Sequence, residues 1–90
     1  MPGLPGRGGL KVAAINLAAL KTGETGRVLD VDAGGEVGQR IMEMGVTPGV
    51  MVRLVGAAPL GDPLAFEVRG YRLSLRKVEA ALVSVEVEQA

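Results

Sequence analysis

The chain contains no cysteine, no histidine and no tryptophan, and these absences exclude several kinds of chemistry. Without cysteine there is no disulfide framework and no thiolate to act as a nucleophile or a ligand. Without histidine the chain lacks the commonest general base and the commonest ligand of transition metals. We therefore expect a protein that is not an enzyme, that has no cofactor and that offers no strong metal site.

The chain also lacks an excess of charge of either sign, and it lacks long apolar runs. The ten basic residues balance the ten acidic ones, which removes the electrostatic attraction that dominates nucleic-acid binding. No stretch approaches the roughly 18–20 apolar residues that cross a membrane. At 90 residues and 48% hydrophobic composition, the chain is predicted to form one cytoplasmic domain that acts by binding another protein, without nucleic acid or membrane insertion.

The start of the chain has the composition of a linker. Residues 1–9 include two prolines and four glycines. We predict a flexible Gly/Pro-rich segment over residues 1–15 and a folded domain over residues 16–88. An appended extension, or one that packs on the domain, is the alternative for the first ten residues.

Periodicity and turn residues predict a mostly β fold. A short helical turn capped by Asn16 is followed by strands at 26–32, 50–57, 64–69, 71–75 and 82–88, and by a helical turn at 76–81. The main helix is expected over residues 36–44, because Val37, Ile41 and Met44 recur at helical spacing. The pattern favours a small SH3-like barrel of about five strands with one main helix; a two-layer α+β fold is the alternative.

Glycine and proline predict three turns. Gly45 is expected to end the main helix in the left-handed conformation. Pro48 and Gly49 suit the two central positions of a type II turn. Gly70 interrupts two alternating segments and predicts a tight hairpin or a bulge.

Five short blocks together carry a family resemblance: GETG at 23–26, RIMEMG at 40–45, GVTPG at 45–49, PLGDP at 59–63 and VRGYRLSLR at 68–76. In this order and at this spacing they resemble the FeoA family, over residues 16 to 87. The resemblance implies an SH3-like barrel and a cytosolic accessory role beside FeoB, the membrane ferrous-iron transporter. The same barrel occurs in iron-dependent repressors, so a regulatory module of that kind that binds a peptide or a partner domain is the alternative. The Gly/Pro-rich start departs from the compact family members.

A partner surface is expected around the loop at 58–63. Leu60 lies on this proline-stiffened loop, with Asp62 beside it, and Arg69 and Arg72 are expected to converge with it from the adjacent hairpin. The alternatives are that the cations form a solvated face and that Leu60 covers the open end of the barrel. Met42 is added as an exposed candidate on the helix.

Two further expectations concern metals and self-association. The family is associated with transition-metal ions, but only Asp30, Asp32 and Glu36 could hold even a weakly bound hard ion. Met44 and Met51 are expected in the core rather than at a metal. Edge strands of a small open barrel can pair with each other, which allows weak self-association.

Overall fold

A six-stranded antiparallel sheet forms most of the molecule, in a computed structural model that describes residues 11–89. The elements in chain order are β1 (Lys11–Asn16), β2 (Thr25–Val31), α1 (Glu36–Glu43), β3 (Met51–Ala57), β4 (Leu64–Val68), β5 (Tyr71–Leu75), α2 (Lys77–Ala80) and β6 (Val83–Gln89). The strand order across the sheet is β1-β6-β2-β3-β4-β5. This architecture confirms the prediction of a mostly β fold with one main helix.

β1 is a strand where the sequence predicted a flexible segment. It pairs antiparallel with β6, so that Ala13 lies opposite Val87 and Ile15 opposite Val85. Over the described residues the sheet therefore has six strands rather than about five, and β1 includes residues 11–15, which were predicted to be flexible. The sequence indicates β1 only weakly, because alanine, which occurs in the middle of this strand, has little preference for strands. Residues 1–10 of the predicted flexible segment lie outside the described residues.

Asn16 also differs from its predicted role. It is the last residue of β1, and its side chain makes no capping hydrogen bond to the 3-10 turn Leu17–Ala19 that follows. Leu17 is buried, so the turn is held by packing of an apolar side chain rather than by a polar cap.

Alternation along the strands builds the core as predicted. Leu64, Phe66 and Val68 of β4 are buried, and so are the three inward valines of β6, Val83, Val85 and Val87. Each such burial contributes about 1.5–3 kcal/mol relative to an exposed side chain. Within the described residues, no polar or charged residue is buried with them. The core over these residues is therefore purely apolar, and the single phenylalanine is fully buried in it.

Two bulges interrupt the ladders and bend the sheet. One lies between Val28 and Asp30 in the pairing of β2 with β6, and the other lies between Leu54 and Gly56 in the pairing of β3 with β4. The first bulge turns Leu29 outward although it sits in an apolar stretch. A bulge increases the local twist, which curls the sheet while leaving β1 and β5 as its two edges.

The helix α1 packs through a face that matches the predicted one only in part: Val37 packs against the core and Ile41 is buried in it, but Met44 is not. Gly38 and Ile41 are buried and Met42 packs against the core, whereas Met44 is exposed. The expectation that Met44 is core and Met42 exposed was therefore wrong. The reason is the contact of Gly38 with the backbone of Asp32, which brings that side of the helix against the sheet.

The three predicted turns are present. Gly45 follows the helix with φ +102°. Gly49 has φ +93°, as the third position of a type II turn requires, and the N–H of Val50 closes the turn by donating to the carbonyl of Thr47 at 3.1 Å. Gly70 has φ +86° in a two-residue hairpin loop between β4 and β5.

Candidate protein-binding surfaces

The loop between β3 and β4 presents Leu60 to solvent with 97% of its surface exposed. Its backbone is closed by two hydrogen bonds: the N–H of Gly61 donates to the carbonyl of Ala58 at 2.7 Å, and the N–H of Ala58 donates to the carbonyl of Pro63 at 3.0 Å. Leu60 is thus held outward on an ordered loop. Its exposure rules out the alternative in which it covers the open end of the barrel.

Asp62 joins this loop to α2. Its Oδ1 accepts a hydrogen bond from the backbone N–H of Lys77 at 3.0 Å, at the start of the helix. The next residue, Val78, is 74% exposed. We call residues 58–63 together with Arg76, Lys77 and Val78 the loop surface. On this surface the exposed apolar side chains are Leu60 and Val78, and the hydrogen bond of Asp62 connects the two segments that carry them. Arg76 and Lys77 are the cations beside them.

The structure does not bring Arg69 to Leu60. β4 and β5 pair Leu64 with Leu75 at the end near the loop surface and Val68 with Tyr71 at the other end, where Arg69 forms the turn. These two ends are about 13 Å apart along the strands. The cations that neighbour the loop are therefore Arg76 and Lys77.

The remaining predicted site residues lie elsewhere. Arg72 is opposite Glu67 on the outward face of the sheet. Met42 is half-buried against the core, so little of its side chain is available to a partner. The sequence did not indicate that Val78 is exposed. In a helix of only four residues, the position of one apolar residue does not show whether it faces the core or the solvent.

A groove runs across the outward face of the sheet. Its larger section has a volume of about 610 Å³ and is lined by Val12, Glu24, Thr25, Arg27, Met51, Glu86 and Glu88. The adjoining smaller section, of about 350 Å³, is lined by Thr25, Met51, Arg53, Glu67, Arg69 and Gly70. Both sections include Thr25 and Met51, and we call them together the sheet groove.

Met51 lies at the centre of the sheet groove and is 53% exposed, so its predicted place in the core was wrong. Val52 and Leu54 face inward, and strand alternation then directs Met51 and Arg53 outward. Strand alternation is visible in the sequence and could have predicted that Met51 faces outward. The prediction failed because the residues on both sides of Met51 are apolar, so the segment looked buried on both faces.

Two salt bridges cross the outward face. Arg27 pairs with Glu86 at 2.8 Å, and Arg53 pairs with Glu67 at 2.8 Å. The hydrogen bond from Arg53, with the positive charge of the same guanidinium and that of Arg72, lowers the pKa of Glu67 below its ordinary 4.5. Glu67 therefore carries its negative charge at neutral pH, between two cations.

The carboxylates of Asp30, Asp32 and Glu36 do not gather into a metal site. Asp32 uses Oδ1 to accept a hydrogen bond from the N–H of Gly34 at 3.2 Å, which stabilises the turn before α1. Among residues 11–89, no group of three acidic, histidine or cysteine side chains is placed to hold an ion. Over the same described range, no helix has the length and apolar character needed to cross a membrane.

Comparison with known proteins agrees with the motif blocks. The FeoA domain family matches residues 15–87. The chain belongs to this family. A curated Fe(2+) transport protein A/Fe(2+) transporter FeoB fusion protein from Porphyromonas gingivalis is 36% identical over 73 residues, which are 81% of this chain and 9% of that protein. The chain thus corresponds to a small fraction of that relative.

Solved FeoA structures share the fold. The FeoA-like protein of Clostridium acetobutylicum is 39% identical, with a TM-score of 0.77 over 82% of this chain and 86% of that one. The FeoA of Stenotrophomonas maltophilia, solved with zinc and described as an SH3 domain protein, is 30% identical, with a TM-score of 0.74 over 83% and 95% of the two chains. A manganese-dependent transcriptional repressor, at 15% identity and a TM-score of 0.74 over 86% and 43%, shares the fold alone.

Proposed function

We propose that this FeoA domain is a non-enzymatic accessory and regulatory protein of ferrous-iron uptake, which works in the cytoplasm by binding the cytosolic part of an FeoB-like membrane transporter. The observation that carries the proposal is the Porphyromonas gingivalis fusion, in which a homologous segment and the transporter form one chain. Fusion places two modules at millimolar effective concentration. Two separate chains need a binding surface to achieve the same association.

The loop surface is the best candidate for this contact. Leu60 and Val78 offer apolar area that is already exposed, and the closed loop and the Asp62 bond hold them in place. A preorganised apolar side chain loses little conformational entropy when it docks. Arg76 and Lys77 can add charge-assisted hydrogen bonds to acidic or carbonyl groups of the partner.

The test is calorimetric titration of the full chain with the purified cytosolic domain of the FeoB-like transporter from the same organism. Leu60→Asp should weaken binding at least tenfold, which is about 1.4 kcal/mol. Its melting temperature should stay close to that of the parent, since the side chain is 97% exposed. Leu29→Asp, the same substitution at an outward position of β2, is the matched control and should bind like the parent.

Two results would count against the proposal at different levels. Failure of the parent chain to bind the domain would contradict the accessory role itself. Full affinity in Leu60→Asp would leave that role standing and would remove the loop surface from it. The alternative function is a regulatory module like those of metal-dependent repressors, and the likenesses that support it, at 15–18% identity, are likenesses of fold alone.

A further inference from the structure

The sheet groove and the loop surface lie at opposite ends of β3. Met51 begins the strand in the groove, and Ala57 ends it at the loop. Six residue steps in a strand span about 20 Å. A partner docked on Leu60 would therefore leave Met51 accessible, and the groove is a surface that the proposed transporter contact does not use.

The groove has a charge at each end and an apolar centre. In the larger section the carboxylates of Glu24, Glu86 and Glu88 face one guanidinium, that of Arg27. In the smaller section the guanidinium groups of Arg53 and Arg69 face one carboxylate, that of Glu67. The larger section therefore has an excess of negative charge and the smaller section an excess of positive charge.

Salt bridges inside the groove neutralise some of its charges and leave others unpaired at the two ends. Arg27 is paired with Glu86, and Arg53 is paired with Glu67. Each pair is internally neutral. Among residues 12–88, whose side chains the structure describes, Glu24 and Glu88 in the larger section and Arg69 in the smaller one belong to no salt bridge, so they supply the charge at the two ends.

The floor between the ends is apolar and adaptable. Met51 is half-exposed at the centre, and Val12 is exposed near the acidic end. A methionine side chain has three rotatable bonds and a polarisable sulfur, so it moulds to apolar groups of different shape. Exposed methionine is a recurring feature of surfaces that bind peptides.

The dimensions suit a short segment of extended chain. The lining residues come from β1, β6, β2, β3 and β4, which are consecutive in the sheet, and from Glu24, Arg69 and Gly70 at strand ends. Four inter-strand spacings of about 4.8 Å give a length of about 19 Å, equal to roughly six extended residues. The volume of the larger section is also within the usual range of ligand sites, about 300–1,000 Å³.

We propose that the sheet groove is a second docking site, for an extended segment of a partner protein that has lysine or arginine at one end, an apolar residue in the middle and aspartate or glutamate at the other. Charge complementarity orients the segment, with its cation toward Glu88 and its carboxylate toward Arg69. With the loop surface occupied by the transporter, the domain becomes an adaptor that holds two partners. The acidic end repels phosphates and so disfavours nucleic acid.

The test uses two capped heptapeptides and amide chemical-shift mapping on the ¹⁵N-labelled full chain. The probe is Lys-Lys-Ser-Leu-Ser-Glu-Glu, and the matched control is Glu-Glu-Ser-Leu-Ser-Glu-Glu. The probe should saturate with a Kd below about 1 mM and should shift the amides of Thr25, Met51 and Glu88. The control should bind at least about fivefold more weakly, because it puts carboxylates against the acidic end.

Variants separate the groove from the rest of the surface. Met51→Ser and Glu88→Lys should each weaken the probe at least about fivefold, and Val78→Ser should leave its affinity unchanged. Equal binding of the two peptides, shifts centred on Leu60, or no saturation by the probe would each overturn the proposal. The transporter titration is independent of these results, since Met51→Ser leaves the loop surface intact.

Discussion

Arg69 has a backbone φ of +50°, a conformation that few residues other than glycine adopt. It shares the two-residue loop between β4 and β5 with Gly70, whose φ is +86°. Positive φ at both central positions defines a type I′ turn, the turn that matches strand twist and that favours Asn-Gly. A long side chain at the first position is therefore locally unfavourable, by about 1–2 kcal/mol relative to the right-handed region.

Substitution of the two turn residues should shift stability in opposite directions. Arg69→Asn should raise the free energy of unfolding by about 0.5–1 kcal/mol, because asparagine tolerates the left-handed conformation. Gly70→Val should lower it by more than about 1 kcal/mol, and Gly49→Val should behave in the same way. Urea unfolding followed by circular dichroism measures all three. A stabilised Gly70→Val, or a destabilised Arg69→Asn, would show that the hairpin loop is not of this type.

At the scale of elements, the attachment of α1 to β2 depends on a glycine. A Cβ on Gly38 would overlap the carbonyl oxygen of Asp32, which is backbone and cannot turn away. The helix therefore approaches the end of β2 more closely than any residue with a side chain allows. This contact also selects which helix face is buried, and it explains why Met42 rather than Met44 meets the core.

In the Gly38→Ala variant, helix propensity and packing are expected to change the free energy of unfolding in opposite directions. Alanine is better than glycine inside a helix by about 1 kcal/mol, so propensity alone predicts stabilisation. Overlap with the backbone should outweigh this, because overpacking commonly costs about 1–3 kcal/mol. We expect a net loss of at least about 1 kcal/mol in urea unfolding.

Gly35→Ala is the control for this prediction, since a Cβ at Gly35 meets no atom within 4 Å. It should change stability by less than about 0.7 kcal/mol. If Gly38→Ala proves as stable as the parent, the helix packs less closely on β2 than this contact requires.

For the molecule as a whole, composition limits the role of metal ions. The chain has no histidine and no cysteine, and first-row transition metals need nitrogen or sulfur ligands for strong sites. Ferrous iron is then expected to be the cargo of the transporter rather than a ligand held by this domain.

Titration of Fe²⁺ or Zn²⁺ into the full chain should give no affinity tighter than about 10 μM. Calorimetry at neutral pH under anaerobic conditions is the appropriate measurement for iron. A stoichiometric, sub-micromolar isotherm would contradict this expectation. The carboxylates to substitute would then be Asp30, Asp32 and Glu36.

Much of the fold was determined by local rules that the sequence displays directly. Glycine at 45, 49 and 70 marks the positions of positive φ, and alternation in β4 and β6 separates inward from outward residues. These features depend on neighbours within a few positions along the chain, so a single sequence is enough to predict them. The order and spacing of the motif blocks were likewise enough to identify the family.

Tertiary structure decided the features that depend on distant residues. β1 is a strand because β6, some seventy positions later, offers it a partner, and Leu60 shares a surface with Val78 because Asp62 caps a helix fifteen residues away. The sheet groove exists only once five strands lie side by side. These long-range contacts are set by strand register and by packing. Both are established only when distant parts of the chain come together, so short sequence patterns do not predict them.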